Sequence, residues 1–143
     1  MSVPPLIRIN RAEHTPYIGR YAGGQQFLSL VTSARVAGEE RLYAVLHTFD
    51  PDGRHLHTKA AAVGPASDPR SRRGADGQQQ EWLRRLSTLL LAPIEVQPFA
   101  VDVDGVTFGL VAEAECVRLL PAGLIFGPPW DGTYRIGGSS SKP

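Results

Sequence analysis

Residues 99–110 read FAVDVDGVTFGL, and few local patterns leave a chain so little freedom. Phe99, Val101 and Val103 alternate with small or polar residues up to Asp104-Gly105. Beyond it, Val106, Phe108 and Leu110 alternate again. Asp-Gly between alternating apolar residues is a strong signal for a two-residue hairpin turn, because both central residues must take positive φ. Such a turn pairs Val103 with Val106, Val101 with Phe108 and Phe99 with Leu110. All six side chains then lie on one face, so turn and hydrophobic pattern agree on register. Ile94 and Val96 stand in the opposite phase, and Pro98 marks the slip, where a bulge or a sheet edge is expected. ECVRLL, ahead of Pro121, reads as a further short strand.

The first half carries the same kind of signal. Gly23-Gly24 divides two short apolar runs, and RLYAVLHTF meets RHLHTKAAAV across Asp50-Pro51-Asp52-Gly53, a loop with ordinary turn chemistry. These segments predict an antiparallel meander. Between the halves, residues 64–77 are rich in Gly, Pro, Ser, Asp and Arg and read as a mobile loop. QQQEWLRRLSTLLL follows, with Trp82, Leu83, Leu86, Leu89 and Leu90 at helical spacing. Asp76 and Gln79 resemble a capping pair, and Pro93 is the stop. The predicted class is α+β: a mostly antiparallel sheet of two meanders with one main helix on one face. Residues 1–16, with Pro4, Pro5 and Pro16, read as an irregular arm, 17–136 as a single domain and 137–143 as a flexible tail.

A chain of 143 residues buries about two-thirds of the surface it exposes unfolded, enough for a core without a metal or disulfide staple. Its one cysteine, Cys116, excludes an internal disulfide and suits a reducing cytosol. The start MSVPPLIRIN lacks the pattern of a signal peptide, and no run approaches the length of a membrane span. The expected location is cytoplasmic, away from membranes. A net charge of +1 gives little steering toward nucleic acid.

Catalytic and metal chemistry find weak support. His47, His55 and His57 crowd one hairpin, but zinc needs three or four ligands converging within about 2.0–2.3 Å. If Phe49 pairs with Arg54, His55 and His57 share one face and His47 takes the other, so no metal site is expected. Asp50 and Asp52 superficially resemble a calcium loop, yet Gly53 comes too early and basic residues follow. Asp102, Asp104, Glu113 and Glu115 read as a solvated edge rather than an acid–base pair. Cys116 has no neighbouring base to activate it. Phosphate-loop, dinucleotide and serine-elbow patterns are missing, so neither a cofactor nor catalysis is expected.

That leaves the surface. Arg70, Arg72, Arg73, Arg84 and Arg85 make the 64–85 region basic, without the stacking aromatics or recognition helix that nucleic-acid binding wants. FGPPWDGTYRI, residues 126–136, is stiffened by Pro128 and Pro129 and turns at Asp131-Gly132. Trp130 and Tyr134 either cap the open end of the core or stand as anchors for a partner, the residue types that dominate binding hot spots. The candidate partner-binding residues are Trp130, Asp131, Tyr134, Arg72 and Arg73.

Four strings in order, YIGRYAGGQQFLSLVT, LYAVLHTFDPDGRHL, IEVQPFAVDVDGVTFGLV and LLPAGLIFGPPWDGTYRI, resemble the small bacterial proteins of the formate hydrogenlyase regulatory protein HycA family. The resemblance spans roughly residues 17–136. It implies a cytosolic, non-catalytic regulator that restrains a hydrogen-evolving formate system by contacting an activator protein rather than DNA. It supplies no functional residues. The alternative is an immunity protein that neutralises a bacterial toxin, and the third reading is an uncharacterised enzyme. Partner and oligomeric state stay open at this level.

Overall fold

The computed structural model describes residues 3–136, so the expected 137–143 tail lies outside the described residues. Two five-stranded antiparallel sheets face each other, with the helix on the outside of the first. The first sheet is a meander of β2 (Tyr17–Tyr21), β3 (Gln25–Val36), β4 (Glu39–Phe49) and β5 (His55–Pro65). The chain then forms α1 (Pro69–Arg84) and β6 (Leu90–Leu91), which closes that sheet beyond β2 in the order β5-β4-β3-β2-β6. The second sheet comprises β8 (Phe99–Val103), β9 (Val106–Ala112), β10 (Val117–Leu120), β11 (Leu124–Phe126) and β12 (Arg135–Ile136), in strict sequence order. A short ribbon pairs β1 (Ile7–Ile9) with β7 (Ile94–Val96). The α+β class holds. The two meanders are the two sheets of a sandwich.

Alternation explains the layers. Leu28, Leu30, Tyr43, Val45 and Phe49 project from one face of the first sheet onto Phe108, Leu110, Val117, Leu119 and Phe126 of the second. Tyr43 meets Phe108 edge-on with ring centroids 5.4 Å apart. Ile7, Ile9, Ile94 and Val96 of the ribbon plug the same core. The opposite face of the first sheet offers Phe27 and Leu46 to Leu83 of the helix. The hairpin register follows the turn: Val103 pairs with Val106, Val101 with Phe108 and Phe99 with Leu110. Asp104 and Gly105 both take positive φ, +54° and +80°, as this turn requires. The slip at Pro98 is a change of sheet, from the ribbon at Val96 to the second sheet at Phe99.

Three expectations need correction. The helix begins at Pro69, inside the stretch read as a 64–77 loop, and it ends at Arg84, well short of Pro93. Asp68 is the cap: its carboxylate accepts from the Arg70 N–H at 2.9 Å, and Pro69 takes the first helical position, where its missing N–H is not needed. The buried face is Ser71, Ala75, Gln79 and Leu83, spaced by four; of the expected stripe Trp82, Leu83 and Leu86 pack against the first sheet, whereas Leu89 and Leu90 lie beyond the helix and are exposed. Leu90–Leu91 instead pairs with Gly19-Arg20 as a strand. The region read as an irregular arm contains β1, whose Ile7 and Ile9 are fully buried. Alternation of two isoleucines around Arg8 was its signal. Finally, Phe49 pairs with His55 rather than Arg54, with consequences for the histidines described below. Among the described residues, no helix is long and apolar enough to cross a membrane.

Candidate functional site

After β11, two prolines carry the chain away from the sheet, and residues 127–134 form a strap over the end of the sandwich. The Pro128–Pro129 bond is cis. The Trp130 N–H donates back to the Gly127 carbonyl at 2.8 Å, and Trp130 itself sits at φ +63°. Its indole is half-buried against the main core, with Nε1 shielded from solvent and without a partner among the described residues. Asp131 then closes a tight turn. Its Oδ1 accepts from the Thr133 N–H at 3.1 Å and the Thr133 hydroxyl at 2.7 Å. Those two bonds hold the Asp131 carboxyl below its usual range.

The strap is locked onto the segment between β1 and β2. The Asn10 backbone N–H donates to the Gly132 carbonyl at 3.0 Å, and its side-chain amide donates to the Asp131 carbonyl at 3.0 Å. Thr15, buried, donates its hydroxyl to the Asn10 carbonyl at 2.9 Å. The His14 N–H donates to the Tyr134 hydroxyl at 2.7 Å, while the Tyr134 ring packs on Phe126 with centroids 5.7 Å apart. Gly132 is buried at φ +92°, and a Cβ there would lie 2.6 Å from the Asn10 side chain. Glycine is needed at that position on both counts.

Trp130 is thus both cap and frame, turning its ring to the core while its neighbours face water. Pro128, Pro129, Asp131, Thr133, Arg135 and Ile136 are all exposed, Ile136 to 60 %. Between strap and arm lies a shallow cavity of about 410 Å³, lined by Arg11, His14, Gly132, Tyr134 and Ile136 among others. On the other side of the arm, Glu13 and His14 line a second cleft with Arg72 of α1. The sequence-predicted residues therefore divide. Tyr134 and Arg72 flank the same arm, Asp131 is tied to it through Asn10, and Arg73 is exposed on α1 outside both hollows. The residues that sequence reasoning missed are Asn10, Glu13 and His14. Nothing local marks them, because Asn10 and His14 take their roles from partners more than a hundred positions away and Glu13 from the cleft it shares with α1.

The histidines form a different arrangement from the one expected. With Phe49 opposite His55, Leu56 bulges out, His57 lies opposite Thr48, and Thr58 lies opposite His47. His47 and His55 therefore share a face, with His57 on the other. Both rings reach the Thr58 hydroxyl, His47 through Nδ1 and His55 through Nε2, each at 2.7 Å. One hydroxyl can donate to only one ring, so the other ring must supply an N–H. His55 also stacks flat on Phe99 of the second sheet at 4.4 Å, joining the edges of the two sheets. Burial pushes the His47 imidazole down to about 3, with the nearby His55 adding to it. This is a neutral, packed cluster.

The remaining candidates are satisfied locally. The Cys116 thiol is pushed up by burial and by Glu113, toward which it donates at 3.5 Å, so it is a poor nucleophile at neutral pH. Glu113 pairs with Arg118 at 3.0 Å, Asp102 accepts from Thr107, and Asp50 closes its own turn by accepting from the Asp52 and Arg54 N–H groups. Comparison with known proteins finds no family model, no curated protein and no solved structure that matches the chain.

Proposed function

We propose that this protein is a small non-catalytic regulator that works by binding another protein through the strap and the arm beneath it. One observation carries the reading: the strap is rigid and outward-facing at once. Four hydrogen bonds from the Asn10, Trp130 and Thr133 groups fix its backbone and a fifth from His14 holds the Tyr134 hydroxyl, while Pro128, Pro129, Asp131 and Ile136 remain exposed. A surface ordered in advance loses little conformational entropy on association, which is the usual way a small patch achieves affinity. Tyr134 and the hollow beside Ile136 provide the aromatic and apolar anchor, and Asp131, Arg135 and Arg72 the charged surroundings.

The poor reactivity of Cys116 and the neutral, packed state of His47 support a role without catalysis. The resemblance to HycA-type regulators makes the partner a transcriptional activator of a formate system in the cytoplasm. A rigid strap of this kind equally suits an immunity protein that plugs a toxin. Affinity capture from the native host with mass spectrometry, comparing the wild type with Arg135→Glu/Ile136→Asp, tests the proposal; both positions are exposed, and neither side chain takes part in the strap's hydrogen bonds. The wild type should retain one partner stoichiometrically, and the variant should lose it with an unchanged melting temperature. An activator supports the regulator, a toxin the immunity protein. Equal capture by both forms removes the strap from the reading.

A further inference from the structure

β3 has twelve residues and β2 only five, so β2 pairs with Gln25–Ser29 and then stops. From Leu30 to Val36, β3 has β4 along one side and, among the described residues, no backbone partner along the other. On that side the alternate N–H and C=O groups of the stretch lack backbone partners among the described residues, the template that a further strand completes. Each face of the open edge adjoins a hollow. On the helix side, a cleft of about 330 Å³ is lined by Glu13, His14, Val31, Arg72 and Asp76. On the side of the second sheet, one of about 510 Å³ has a mixed lining, Ala34, Val106, Leu120 and Pro121 alongside Ser33, Arg35, Glu40 and Thr107. Successive side chains of a strand point to opposite faces, so a strand added in line with β2 would direct one row into each hollow.

We propose that the Leu30–Val36 edge is a docking site for an extended segment of a partner protein, carrying basic residues on one face and apolar residues on the other. The charge comes from the helix-side cleft. Glu13 and Asp76 make no ion pair among the described residues, and Arg72 is the one cation of fixed charge facing them, so a lysine or arginine is the complement. Ala34, Val106, Leu120 and Pro121 give the other hollow its apolar part, where short apolar side chains of the added strand would sit among Ser33, Arg35, Glu40 and Thr107. A second copy of the chain fits less well, because the inward row of its β3, Leu30 and Ala34, is already committed to its own core. Main-chain pairing gives such binding its affinity, and the alternate pockets give it specificity.

The edge shares Glu13, His14 and Arg72 with the arm side of the proposed partner surface but not Ile136, so Ile136→Asp tells a failure of the edge from a failure of the strap. The probe is a fluorescein-labelled peptide, Val-Lys-Val-Lys-Val-Lys-Val, titrated with the full chain by fluorescence anisotropy. Saturable binding is expected, weakened at least about tenfold by Glu13→Lys/Asp76→Lys or by glutamates in place of the peptide's lysines. Both altered protein positions are exposed, and an unchanged melting temperature checks the fold. Two peptides, each N-methylated on one alternating set of amides, should part: one set faces β3 and abolishes binding, the other faces solvent and preserves it. Ile136→Asp should leave the titration as it was. Absent saturation, equal behaviour of the two methylated peptides, indifference to the double charge reversal, or loss on Ile136→Asp each overturns the proposal. So does a concentration-dependent dimer that the peptide displaces, which would give the edge to a second copy.

Discussion

His47 carries its consequences in one ring. It is inaccessible to solvent, one nitrogen is bound to Thr58 Oγ1, and the other has no partner among the described residues. A charged imidazole there would be desolvated and without a counter-ion, which is why burial lowers its pKa to about 3. In the unfolded chain the same group titrates near 6.5. Since the folded value lies below the unfolded one, the unfolded state binds more protons at acid pH. The stabilisation is therefore complete above about pH 6.5 and is lost as pH falls toward 3. His55, also lowered mainly by burial, acts in the same direction. Between pH 6.5 and pH 5, His47 alone should remove about 2 kcal/mol. Urea unfolding of the wild type and His47→Leu at the two pH values measures this, and the variant should lose most of the difference. An equal acid loss in both proteins would mean that the ring is not the group responsible.

At the scale of elements, the helix gives the sharpest prediction. Asp68 caps α1 and also holds Arg70 by an ion pair at 3.0 Å, the latter exposed and weak. Asp68→Ala should cost about 1 kcal/mol, the usual value of an N-cap, and should speed hydrogen exchange in residues 69–75 before the rest of the helix. If that stretch exchanges as a loop in the wild type, the helix start is wrong. The same element shows what the sequence could disclose. The Asp104-Gly105 hairpin was legible because two independent constraints, turn chemistry and alternation, demanded one register. The helix start was obscured because the buried face is Ser71, Ala75, Gln79 and Leu83, with Gly74 set closely against Val63 of β5 and Gly77 open to water. Gln79 earns burial by donating to Ser29 Oγ at 2.9 Å, and that partner lies fifty residues away. Leu89 and Leu90, which looked like core, are 37 % and 61 % exposed. The histidine register failed for a related reason, since the bulge at Leu56 shifts the faces without leaving a mark in composition. Trp130, Asp131 and Tyr134 were recognisable by residue type, whereas the Asn10–Thr15 segment beneath them has meaning only once both ends of the chain are brought together.

For the whole molecule, that meeting of the ends matters most. Each meander makes its own sheet from neighbouring strands, and such pairings are local in sequence. What joins the halves is the shared core, the ribbon of β1 on β7 and the strap on Asn10 and His14. The last two are long-range ties, the His14–Tyr134 bond spanning 120 positions. Gly132 lies where the strap comes closest to the arm. Gly132→Ala would put a methyl group against the Asn10 side chain at a backbone angle that L-residues avoid, so the arm or the strap must move. The expected loss is about 2–4 kcal/mol, combining backbone strain with one or two weakened hydrogen bonds. Where that loss appears distinguishes a clamp from a loose flap. A clamp predicts a melting temperature lower by on the order of 10 °C and faster hydrogen exchange at the Asn10 and His14 amides together with Trp130, while the β8–β9 hairpin keeps its protection. A flap predicts faster exchange at Trp130 and Thr133 alone, with an unchanged melting temperature and a protected His14. That second outcome would also weaken the strap as a binding surface, because its affinity is argued from the rigidity that Asn10 and Gly132 provide.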